Sequence, residues 1–263
     1  MIPEAALIDW RNEVSWRNWN QVEQDLIISR AICEIFNDEY LANNLAFRGG
    51  TALHKLYLVP AMRYSEDIDL VQMHKGPVGP IFDRLRVALS FLGGAKKTVQ
   101  KSRGNKMIFK VDASMSPFAP LKLKIEMNSV EGGSLFGYET KLYSVSNRWF
   151  SGTCNVTTYS IDELMGTKLR ALYQRSKGRD LFDLWAALEC DSVSSDRTLE
   201  AFRYYTSALG KPYPSSEVFT ENLELKMQDV DFLDDLSELV RQGISYDNNK
   251  AFELVCTKLI NQI

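Results

Sequence analysis

The sequence predicts a mixed α/β part over residues 1–158, followed by a helical part over residues 159–263. Three observations carry this. Helix-period apolar runs alternate with short strand-like runs through the first part. One segment, Leu121–Asn128, alternates apolar and polar residues with the period of a strand. At Ser160 an S-x-x-E box with Glu163 marks a helix start, and the pattern beyond it is mostly helical.

In chain order, Val22, Leu26, Ile27, Ala31, Ile35 and Phe36 recur at three- and four-residue steps, which predicts a helix over 21–45. A short apolar run, 45–47, then reaches Arg48-Gly49-Gly50-Thr51, and residues 51–58 read as a short helix stopped near Pro60. Residues 68–71 are strand-like. Residues 80–92 form an amphipathic helix closed by Gly93-Gly94. Strand patterns follow at 107–111, 121–128 and 143–145. In the second of these, Leu121, Leu123, Ile125 and Met127 face one way and Lys122, Lys124, Glu126 and Asn128 the other. Turn signals in the helical part fall at Gly178, 192–195, 210–216 and Gly243.

The 263 residues suffice for one large core or two modest ones, and 45% hydrophobic with 25% charged residues is an ordinary globular composition. A net charge of -3 lacks the basic surplus of a protein that coats duplex DNA. Two histidines, His54 and His74, leave little material for histidine-built zinc sites or triads. Cys33, Cys154, Cys190 and Cys256 form no C-x-x-C pair and read as reduced, buried residues. The N-terminus lacks the basic start and apolar run of a signal peptide, and no stretch approaches the ~20 apolar residues of a membrane span. A cytoplasmic, non-membrane protein is expected. Trp149, Phe150, Phe182 and Trp185 read as core aromatics.

The chemistry-bearing segment is FRGGTALHKLYLVPAMRYSEDIDL, residues 47–70. Glycines 49 and 50 permit a tight turn and close approach to a ligand. The helix start behind them offers free N–H groups suited to phosphate. Thr51 can cap that helix or donate its hydroxyl to a phosphate oxygen. Asp67 and Asp69, two apart on a strand, share one face, and two adjacent carboxylates call for a cation between them. A glycine pair alone is a turn and an Asp-x-Asp alone is a solvated strand end; their ordered combination points to phosphate chemistry.

This segment resembles the nucleotidyltransferase signature of the DNA polymerase β-like superfamily. More narrowly, FRGGTALHK with RYSEDIDL resembles the AbiEii-type nucleotidyltransferases, a family that includes toxins of type IV toxin–antitoxin and abortive-infection systems. LKLKIEMN, residues 121–128, is similar to the strand bearing the third carboxylate, here Glu126. LMGTKLRALYQRSKGRDLFDL, residues 164–184, is similar to the C-terminal motif, in which a helical lysine, Lys168, and an aspartate of the Arg-Asp-x-x-Asp run, Asp180 or Asp183, belong to the active site. Read unaided, the last segment has two accounts. Lys168 and Arg175 form a positive ridge for a triphosphate, or the acids offset a helix dipole and the basic residues are solvated.

The resemblance implies a polymerase β-like core with a small mixed sheet, a helical domain completing the active site, and an NTP held between them. Gly49, Gly50 and Thr51 would hold phosphates, with Lys168, Arg175 and Asp183 completing the nucleotide site. Asp67, Asp69 and Glu126 would bind Mg²⁺ (or Mn²⁺). Asp180 would orient Lys168 or the acceptor. The acceptor is left open, with RNA, tRNA 3′ ends in particular, allowed alongside a protein hydroxyl or a small molecule; a cognate antitoxin encoded nearby is the expected partner. Two rival readings remain. A catalytically silent nucleotide binder would not need two clustered carboxylates, and a γ-phosphate kinase would carry Walker A or HRD/DFG sequences, which are absent.

Overall fold

The computed structural model describes residues 2–101, 104–115, 120–129, 133–190, 193–208, 210 and 212–263. The chain divides into two compact units, Met1–Tyr159 and Ser160–Ile263. Among the described residues no helix is long and apolar enough to cross a membrane.

The first unit is mixed α/β, as the sequence predicts. Its elements are α1 (Glu4–Val14), α2 (Trp19–Phe36), α3 (Glu39–Asn44), β1 (Leu45–Arg48), α4 (Gly49–Leu56), β2 (Asp67–Gln72), α5 (Val78–Ala88), β3 (Ala95–Lys101), β4 (Gly104–Val111), β5 (Leu121–Asn128), β6 (Tyr138–Ser146) and β7 (Ser151–Tyr159). The seven strands make one mixed sheet in the order β3-β4-β5-β2-β1-β7-β6. β2 runs parallel to β5 and antiparallel to β1, and β1 runs parallel to β7.

Helix α2 packs on this sheet against β5, β6 and β7. Leu26, Ile28, Ile32 and Ile35 on α2, with Phe47, Ile68, Ile125 and Val156 on the strands, are buried. A single carboxylate ties three helices together behind this layer. Asp25 of α2 accepts from the Trp10 indole of α1 at 3.0 Å and from the Lys55 ammonium of α4 at 2.8 Å. Burial works against the Lys55 charge, but Asp25, with Tyr143 and Glu13, outweighs it and holds the lysine above its usual range.

Three differences from the sequence reading have local causes. The single helix expected over 21–45 is two, because α2 ends at Asn37 and Asp38 caps α3 by accepting from the Leu41 N–H. The helix expected over 80–92 runs from Val78 to Ala88 and tightens to a 3-10 turn at Ser90–Leu92. Strands β3 and β7 and helix α1 are additional; β7, SGTCNVTTY, is too polar to read as a strand from its own residues.

The second unit is helical: α6 (Ile161–Gln174), α7 (Gly178–Glu189), α8 (Ser195–Ser207), α9 (Ser216–Lys226), α10 (Val230–Asp234) and α11 (Asn248–Lys258). Ser160 caps α6 by accepting from the Glu163 N–H at 3.3 Å, while the Glu163 carboxylate is engaged by the Tyr205 hydroxyl of α8. Gly166 lets α6 and α8 approach closely, since a β-carbon there would stand 2.5 Å from that of Ala201. The expected break before a second helix falls between Gln174 and Gly178, and Gly178 is the first residue of α7. Of the expected turn residues, Ser192 and Lys211 lie outside the described residues.

Cys33, Cys154 and Cys256 are buried, whereas Cys190 at the end of α7 is exposed. Trp149, Phe150 and Trp185 are half-buried rather than core, and the first two with Phe91 surround the Arg30 guanidinium at 4.1–5.0 Å from their ring centres.

Candidate active site

The first unit places its site residues where β1 ends, α4 begins and β2 starts. Gly49 has φ 78°, a left-handed conformation in which glycine is favoured. The same glycine makes room for Asp69, because a β-carbon at 49 would lie 2.2 Å from Asp69 Oδ2. Gly50 lies against the buried Arg63, whose Nη2 would stand 2.4 Å from a β-carbon at 50. Both glycines therefore answer to close approach of a neighbouring polar side chain.

Thr51 does not cap α4; the cap position is Arg48, in extended conformation. The Thr51 side chain is buried, and its hydroxyl lies within hydrogen-bonding reach of the Asp67 carbonyl oxygen and of Ser65 Oγ. These contacts tie the first turn of α4 to the start of β2, so the hydroxyl positions the Asp-x-Asp strand from behind.

Asp67 and Asp69 are half-buried on one face of β2, with Ile68 and Leu70 buried on the other. Across the parallel ladder Asp69 pairs with Glu126 of β5, and Asp67 pairs with Lys124. The Lys124 ammonium is 2.5 Å from Asp67 Oδ2 and 3.0 Å from Glu126 Oε1, and Lys106 Nζ meets the same Glu126 oxygen at 2.8 Å. Burial pushes the Asp67 carboxyl up to about 6, partly offset by Lys124 and reinforced by Asp69 and Glu66. Burial acts against the Glu126 charge too, yet Lys106 and Lys124 prevail and hold it below the usual carboxylate range. For Lys124 burial is likewise outweighed, by Asp67 and Glu126, and its ammonium is held protonated well above the ordinary lysine range.

Among the described residues, no three His, Cys, Asp or Glu side chains are gathered as a ready metal cage. The donors present nevertheless suit a hard divalent cation: carboxylate oxygens on one sheet face, with a positive charge already drawn between two of them.

The second unit contains the remaining candidates as a buried charge cluster. Lys168 of α6 lies between two fully buried carboxylates of α7, 3.2 Å from Asp180 Oδ1 and 2.7 Å from Asp183 Oδ2. Arg175, at the end of α6, grips Asp180 with two bonds of 2.7 and 2.9 Å. Burial disfavours the Asp180 charge, but Lys168 and Arg175 outweigh it and keep the carboxyl below its usual range. Lys168 and Arg175 therefore do not stand as an open ridge; both converge on Asp180.

Several residues of these clusters carry no motif mark. Lys226 of α9 donates to the Leu172 and Tyr173 carbonyls at the end of α6 and so caps that helix. Lys106 also lies outside every motif, and Lys124 lies in LKLKIEMN without a role of its own there. Arg63 and Ser65 lie within the RYSEDIDL stretch itself, where only the two aspartates point to a role.

A glycine turn opening a helix, set against a strand with two same-face aspartates, resembles the arrangement of a nucleotidyltransferase. Residues 30–255 match the family model described as nucleotidyl transferase AbiEii toxin, type IV TA system, and the chain belongs to this family of nucleotidyltransferase enzymes. Its fold is similar to that of MenT4, a nucleotidyltransferase toxin of Mycobacterium tuberculosis H37Rv, with a TM-score of 0.66 and 12% identity over 98% of this chain and 90% of that one. It is also similar to JHP933 from Helicobacter pylori, with a TM-score of 0.56 and 16% identity over 93% and 91% of the two chains. A putative nucleotidyltransferase of H. pylori gives a TM-score of 0.53 and 18% identity over 94% and 96%. No curated protein sequence matches the chain.

Proposed function

We propose that this nucleotidyltransferase moves a nucleoside monophosphate from an NTP to an acceptor hydroxyl, with Mg²⁺ or Mn²⁺ held by Asp67, Asp69 and Glu126. The observation that carries this reading is the pair Asp67 and Asp69 on one face of β2, with Asp69 packed against the Gly49 turn. The first-turn N–H groups of α4, at Gly49, Gly50 and Thr51, face phosphate oxygens. A bound divalent cation neutralises phosphate charge and lowers the pKa of an acceptor hydroxyl. Glu126 accepts the proton that this hydroxyl loses. Lys168, oriented by Asp180 and Asp183, stabilises negative charge as pyrophosphate leaves, and Arg175 supports it through Asp180. RNA, tRNA 3′ ends in particular, is one acceptor class that the test below includes, beside a protein hydroxyl, and the biological role is that of a toxin restrained by an antitoxin.

The test uses NTPs labelled at the α- or γ-phosphate, incubated with total RNA and total protein. Transfer of α-label alone, with a mass gain of one NMP and loss in Asp67→Asn and Asp69→Asn, supports the reading. Transfer of γ-label replaces it with phosphotransfer.

A further inference from the structure

The proposed metal pair sits in a sheet that already supplies its own cation. Lys124 and Glu126 alternate with Leu123 and Ile125 along β5, so the strand period that buries the apolar pair aims the polar pair at the carboxylate face. Lys124 contacts Asp67 at 2.5 Å and Glu126 at 3.0 Å, with about a third of its side chain exposed. Asp69 is the next residue on that face of β2 and pairs with Glu126 in the ladder. Without a cation, three carboxylates on neighbouring positions would repel one another.

We propose that Lys124 is a built-in rival of the divalent cation: its ammonium holds the metal's place beside Asp67 in the free protein and must give up that carboxylate for metal to bind. This rests on the metal reading proposed above. The lysine stem is flexible enough for the exchange. Its second contact, to Glu126, tethers the displaced ammonium within reach of incoming phosphates. Metal therefore binds weakly to the free protein and gains affinity when a triphosphate offers the ammonium a new partner.

The experiment is a titration with Mn²⁺ alone, read by the electron paramagnetic resonance of free ion, on the full chain and on Lys124→Met, Lys124→Gln and Lys124→Arg. Both neutral variants should bind Mn²⁺ at least about tenfold more tightly than the parent, a modest part of what one contact charge is worth at an effective dielectric of about 20. Lys124→Arg should bind no more tightly than the parent. Adding Asp67→Asn to Lys124→Met should remove the gain, which locates it. Thermal unfolding gives a second readout: Mn²⁺ should raise the Tm of Lys124→Met more than that of the parent. Equal or weaker binding in both neutral variants, each verified as folded, overturns the rivalry and leaves the metal reading standing. Absence of Mn²⁺ binding in parent and variants alike overturns both.

Discussion

Asp69 lies so close to Gly49 that the glycine's missing side chain is part of the carboxylate's seat: a β-carbon at 49 would stand 2.2 Å from Oδ2 and 2.9 Å from the aspartate's own β-carbon. The left-handed φ of 78° at the same residue adds a backbone demand to the steric one. Gly49→Ala should therefore cost about 1–2 kcal/mol for the backbone alone, more with the clash, and should displace Asp69. Chemical unfolding and transfer assays on the same preparation check this; unchanged stability and activity would remove the seat from the account.

Lys168 is the cation of a buried cluster, so its removal has two separable effects. Lys168→Met leaves Asp180 and Asp183, both fully buried, with the partly exposed Arg175 bonded to Asp180. Stability should fall by about 3–5 kcal/mol. Lys168→Arg should recover most of the stability but only part of the activity, because a planar fork replaces a point charge. If arginine restores both fully, the lysine is structural. Loss of transfer by roughly 10²-fold in a folded variant is the catalytic expectation.

Asp180 gives a pH dependence with a definite sign. Its folded pKa lies below the ordinary value, so its stabilisation is complete above about pH 4 and is lost as pH falls through the folded pKa. Asp180→Asn should be less stable than the parent at neutral pH, by about 2–3 kcal/mol. Its stability should decline less steeply below about pH 4. Urea midpoints at several acidic pH values would show it, and parallel acid limbs in the two proteins would rule it out.

Membership of a toxin family carries an expectation in cells. Overproduction in a bacterial host without an antitoxin should slow growth, and Asp69→Ala should relieve the effect at equal soluble yield. Growth curves with matched expression decide this, and continued inhibition by the Asp69→Ala protein would detach toxicity from the proposed chemistry.

The β1–α4–β2 segment was legible because its signals are local: two glycines, a helix start and an Asp-x-Asp sit within one continuous stretch. The alternation of β5 was equally legible, and residues 121–128 form one strand with that inside–outside pattern. What the sequence hides is which cation meets which carboxylate. A lysine on a polar strand face reads as solvated, and only the β2–β5 ladder brings Lys124 to Asp67. Thr51 does not cap α4 as its position suggests, because its tie to Ser65 and the Asp67 carbonyl spans a loop whose path is set by tertiary packing. Helix α1 is faint in the sequence because it buries only Ala6, Leu7 and Trp10, too few to set a helical period.

The β5 strand binds two kinds of evolutionary constraint into one. Its odd-numbered residues fill the core and its even-numbered residues arm the carboxylate face, so a slip of a single residue against β2 would exchange the two sets. Leu123 and Ile125 would then stand beside the aspartates, and Lys124 and Glu126 would enter the hydrophobic layer. Substitutions can retune the strand one position at a time, but an insertion or deletion within it costs fold and chemistry in the same event. Length variation among related chains should accordingly be excluded from residues 121–128 and collect in the connections on either side.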